Sequence, residues 1–106
     1  MPTKREKYGK YAIAIAPYVG QIKEDISKSP EKKAIYRAID IAKKMGPEFE
    51  KKHATSVYQG LLFVLFYEGI FVQQSTKIDS GERLLVMRFA TEKDTLPPHL
   101  ATYIED

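Results

Sequence analysis

The chain has 106 residues and a mass of 12.1 kDa, enough for one hydrophobic core and too few for two. With 43% apolar and 29% charged residues it falls outside the composition of disordered chains, and its longest apolar run, residues 61–67, is far short of the roughly 20 residues that span a bilayer. It has no cysteine, which excludes a disulfide framework, a thiolate zinc site and a thiol nucleophile, and the net charge of +3 divides unevenly, +6 over residues 1–53 and −3 over residues 54–106.

Residues 1–10, MPTKREKYGK, are polar and basic and read as a flexible arm. The short apolar stretch that follows is interrupted by Pro17, unlike a secretory signal, so a cytoplasmic location is expected. In that stretch Tyr11, Ile13 and Ile15 alternate like a strand, whereas Ile15, Val19, Ile22 and Ile26 follow helical spacing. A helix is expected from about Pro17, with residues 8–16 either helical or extended.

The next helix is predicted over residues 30–45. Ser29 suits an N-cap, Pro30 a first helical position, Lys43 and Lys44 the negative end of the dipole, and Gly46 a stop. Ile35, Ala38, Ile39, Ala42 and Met45 would form its buried stripe. Pro47 to His53 is consistent with a short helix that buries Phe49. Thr55 or Ser56 would then cap VYQGLLFVLFYEG, a helix ending at Gly69 and apolar on almost every side. Such a helix must be covered on almost every side, by the rest of the chain or by a second subunit. A homodimer is therefore expected, with this helix or the N-terminal segment at its interface.

Residues 70–76 and 84–90 read as two strands around Ser80-Gly81, pairing Val72 with Phe89, Gln74 with Met87 and Thr76 with Leu85 on one face. Gln73 would lie beside Arg88 on the other. After the break at Pro97-Pro98, residues Leu100, Tyr103 and Ile104 are spaced for a short docking helix.

The order helix, helix, short turn, long helix, hairpin is similar to the winged helix-turn-helix superfamily. IYRAIDIAKKMG resembles its first or second helix, TSVYQGLLFVLFYEGI its third, and FVQQSTKIDSGERLLVMRF its wing. The resemblance is one of pattern, covers about half the chain and implies a single α+β domain: three or more helices followed by a two-stranded antiparallel hairpin, with N- and C-terminal extensions (1–10 and 91–106). It implies double-stranded DNA as partner, a role as a small dimeric transcriptional regulator, and entry of the third helix into the major groove. Carried over by position, Thr55, Ser56, Tyr58 and Gln59 face the groove, Gln59 as a bidentate reader of adenine. Lys51, Lys52 and His53 before the helix, and Lys77 and Arg88 on the wing, become phosphate contacts. The third helix carries no Lys or Arg, unlike most base readers.

Two other readings fit the residues: a winged-helix-like protein-interaction module without nucleic-acid binding, and RNA or single-strand binding through Tyr8, Tyr11 and Tyr18. No cofactor, metal site or catalytic residue is expected. His53 and His99 are the only histidines, there is no glycine-rich phosphate loop, and neighbouring carboxylates such as Glu24 and Asp25 sit in charged surroundings, so the chain does not read as an enzyme.

Overall fold

The computed structural model describes residues 4–75 and 83–96, with side chains from Tyr8 onward. It is an α+β arrangement of four helices and a three-stranded antiparallel sheet. In chain order these are α1 (Lys4–Lys28), β1 (Ala34–Arg37), α2 (Ala38–Met45), α3 (Pro47–Glu50), α4 (Ala54–Phe66), β2 (Ile70–Gln74) and β3 (Leu84–Phe89). The sheet order is β1-β3-β2.

Helix α1 starts well before Pro17, so residues 4–10 are its first turns and not an arm. Tyr8, Tyr11, Ile15, Ile22 and Ile26, spaced three, four or seven apart, bury one stripe of it. Pro17 falls on the exposed side. There the carbonyl that loses its intrahelical donor can be served by water, so the proline is tolerated mid-helix.

The helix expected over 30–45 is the largest correction. Only residues 38–45 are helical, and residues 34–37 form a strand that the periodicity did not reveal. Ser29 does not cap a helix; its hydroxyl accepts from the Glu31 amide (3.2 Å) in a turn, and Lys32 takes a positive φ of 58° that breaks helical continuity. Tertiary bonding then decides the strand. Residues 34–37 pair with 84–87, and the Tyr36 hydroxyl donates to Asp25 Oδ2 of α1 at 2.7 Å. Burial, and then the carboxylate, push the Tyr36 hydroxyl well above its usual pKa, while the bond from Tyr36 holds the Asp25 carboxyl below the ordinary range. Ile35 and Ile39, expected inside, are 57% and 45% exposed, and Ile41 is buried with Ala38, Ala42 and Met45.

The C-terminal end of α2 and the start of α3 follow expectation, although α3 stops at Glu50, before the expected His53. Gly46 has φ 129°, a value side chains disfavour, Pro47 opens α3 and Phe49 is buried. Helix α4 begins at Ala54 after His53, so neither Thr55 nor Ser56 is its N-cap. It buries every residue from Gly60 to Leu65, and its cover comes from this chain: α1 and α2 among the helices, β2 of the sheet. No second subunit is needed to enclose it.

The hairpin pairs Val72 with Met87, Gln74 with Leu85 and Ile70 with Phe89, two residues from the expected register. A shift of two keeps side-chain parity, so the expected faces hold: Ile70, Val72, Leu85 and Met87 are fully buried on one side. The register is fixed by β3 being central, since Met87 and Leu85 must also meet Ala34 and Tyr36 of β1. The Ser80-Gly81 turn, Thr76, and the segment with Leu100, Tyr103 and Ile104 lie outside the described residues.

Helix α1 crosses α4 at Gly60. A Cβ built there would lie 2.5 Å from two carbons of the Tyr11 ring. That ring is itself wedged between Tyr8 and Phe49, at centroid distances of 5.8 and 5.0 Å, and has little room to yield. Gly60→Ala should therefore destabilise the fold by about 1–3 kcal/mol through overpacking, although alanine is the better helix former. Urea denaturation would show a lower midpoint; an unchanged or higher one would show that the ring can move.

Candidate nucleic-acid interface

The polar residues expected to meet DNA fall around the corner between α3 and α4. Lys51, Lys52 and His53 make the turn and are exposed. The Lys52 amide donates to the Phe49 carbonyl (3.1 Å), and the His53 carbonyl accepts from Ser56 N (2.9 Å) and Val57 N (3.1 Å), which starts α4. No side chain caps this helix and no acidic residue lies in its first turn. Its positive end is therefore neither neutralised nor covered by its own first turn.

Thr55 and Ser56 are exposed first-turn residues. Gln59, one turn on, shares their face and is half-buried. Tyr58 is half-buried against the core, and burial pushes its hydroxyl above the usual pKa. It belongs to the packing as much as to the surface.

Lys51 and Lys52 form no ion pair among the described residues, whereas Lys10 of α1 is bonded to Glu48 at 2.8 Å and holds that carboxyl below the usual range. Beside Lys52 a cleft of about 150 Å³ runs between α2 and the start of α4, lined by Ala38, Ile39, Ala42, Glu50, Lys52, Ala54 and Val57. Lys43, one turn after Ile39 on α2, is exposed.

The two wing cations fare differently. Lys77 lies outside the described residues. Arg88, expected as a phosphate contact, is paired within this chain. Its guanidinium lies 4.9 Å over the Phe71 ring and donates two bonds, of 2.7 and 2.8 Å, to the Asp94 carboxylate. Asp94 also accepts from the Thr91 amide (2.7 Å) and hydroxyl (3.1 Å). The bonds from Arg88 and then Thr91 hold the Asp94 carboxyl far below the carboxylate range.

Tyr8 and Tyr11 are each 4% exposed and Tyr18 is half-buried with its hydroxyl bonded to the Lys44 carbonyl (3.2 Å), so these rings are not a stacking platform for bases. Among the described residues no three His, Asp or Glu side chains converge as a metal site, and no helix is long and apolar enough to cross a membrane. No family model, curated protein or solved structure matches the chain.

The lowered Asp94 pKa gives the Arg88 pair a defined pH dependence. Its stabilisation is complete above the ordinary carboxylate range, near pH 4, and drains away as pH falls below that. Asp94→Asn and Arg88→Ala should each lower the unfolding midpoint at neutral pH and flatten its decline in acid. If Arg88→Ala left the midpoint unchanged and removed only nucleic-acid affinity, Arg88 would be a ligand contact after all.

Proposed function

We propose that this chain is a winged-helix-type domain that binds double-stranded DNA, acting in the cytoplasm as a small transcriptional regulator and presenting the start of α4 to the major groove. The observation that carries the reading is the first turn of α4. An uncapped helix N-terminus with outward Thr55, Ser56 and Gln59, approached by Lys51 and Lys52, which form no ion pair among the described residues, stands on a helix otherwise sunk in the core. Such an end offers backbone amides and hydroxyls to phosphate and an amide side chain to a base edge, on a rigid support.

The topology supports the same reading. A hairpin follows α4 directly, and a strand between the first two helices completes the sheet in the order β1-β3-β2, so the hairpin is anchored beside the helix that would enter the groove. The lack of Lys and Arg within α4 directs charge to its approach, where Lys51, Lys52 and Lys43 would serve phosphates while Gln59 reads. A protein-interaction module is the second reading. Exposed Ile35 and Ile39, on β1 and α2, favour it.

Titration of duplex DNA at several salt concentrations separates the two. Binding should weaken with salt at a log–log slope of about −0.9 per phosphate contact, and Lys51→Ala and Lys52→Ala should each reduce its magnitude by about 1. Gln59→Ala should keep the slope and relax preference at one base pair, by about 1–3 kcal/mol. No duplex binding at low salt would favour the interaction module; equal weakening on every sequence by Gln59→Ala would exclude direct readout there.

A further inference from the structure

The cleft between α2 and the start of α4 has a lining divided by element. Ala38, Ile39 and Ala42 of α2 and Ala54 and Val57 of α4 supply apolar groups, whereas both charged residues, Glu50 and Lys52, come from the corner between α3 and α4. Ala38, Ala42 and Val57 belong to the core, so this part of the lining is held in place, and Ile39 leaves an apolar side chain 45% exposed beside it. Glu50 and Lys52 stand two residues apart with opposite charges, yet form no ion pair with each other or with any other described residue. The volume, about 150 Å³, is several times the roughly 30 Å³ that one water molecule takes up in the liquid.

We propose that this cleft binds a free α-amino acid with an aliphatic side chain. The inference is independent of any nucleic-acid role. Such a ligand carries an ammonium and a carboxylate on one carbon and an alkyl group directed away from both, and the lining has the same division. The Glu50 carboxylate accepts from the ammonium, the Lys52 ammonium donates to the carboxylate, and the alkyl group lies against Ala38, Ile39, Ala42 and Val57. A simple carboxylic acid would gain Lys52 but be repelled by Glu50, and a simple amine would gain Glu50 but be repelled by Lys52. A zwitterion satisfies both. Because both charged side chains are exposed, either bond alone is worth little, and selectivity comes from meeting the two together. The bound alkyl group would also take part of Ile39 out of water.

The test titrates L-leucine into the full isotope-labelled chain and follows the backbone amide signals by NMR. Saturable shifts should centre on Ala38, Ile39, Ala42, Ala54 and Val57. Isocaproate, which is leucine without its ammonium, and isoamylamine, which is leucine without its carboxylate, should each need roughly tenfold more for half-saturation. Two substitutions at exposed positions, both expected to keep the circular dichroism spectrum, then separate the charges. Glu50→Gln should erase the preference for leucine over isocaproate and keep that over isoamylamine; Lys52→Gln should do the reverse. A merely structural role for either residue would not produce this crossed pattern. Absence of saturable shifts at millimolar L-leucine, isocaproate binding the unmodified chain as tightly as leucine, or preferences unchanged in either variant would overturn the proposal.

Discussion

The contact between the Tyr11 ring and the bare backbone at Gly60 sets the distance between α1 and α4, and much of the molecule follows from that distance. Because the helices approach so closely, the long N-terminal helix lies over α4 and closes one of its apolar sides. The same placement brings Asp25, near the far end of α1, within hydrogen-bond reach of Tyr36, which anchors β1, and β1 in turn holds the central strand from the side opposite β2. A glycine in the middle of a helix is a local weakness in propensity; here it is the condition for tertiary packing.

The polar corner before α4 depends on this burial. A helix held on almost every side has little freedom to shift, so its first turn is a fixed platform. Some charges elsewhere on the domain are matched: Lys10 with Glu48, Arg37 with Asp40, Arg88 with Asp94. Lys51 and Lys52 form no such ion pair among the described residues, so their charge stays available at the turn before α4.

The sequence made legible those elements whose local and tertiary preferences agree. Gly46, Pro47 and Phe49 marked the α2–α3 junction, the apolar surround of residues 57–65 marked α4, and alternation assigned the correct faces of the hairpin. It misled where they conflict. Ala34 to Arg37 continues smoothly into a helical pattern, and only the hydrogen bonds offered by β3, half the chain away, make it a strand. Pro17 suggested a helix start because its exposed orientation is invisible before the fold is known. In the candidate site, exposure of Lys51, Lys52, Thr55 and Ser56 was readable from polarity, whereas the capture of Arg88 by Asp94 depends on the turn after β3, which no periodicity encodes.

The placement of β1 also bears on how the chain reaches its fold. A four-residue strand from the first half of the molecule finds its only described strand partner in residues 84–87. The N-terminal half can form helices as it is synthesised, but its sheet cannot exist until β3 has been made, and loop-closure entropy must then be overcome in one step. Until that moment Ala34 and Tyr36 have no strand to pair with and the hairpin face of α4 stays open to water. The domain should consequently gain its sheet and the final burial of α4 together, late and cooperatively, and that interval is when a nascent chain is most exposed to mispairing with its neighbours.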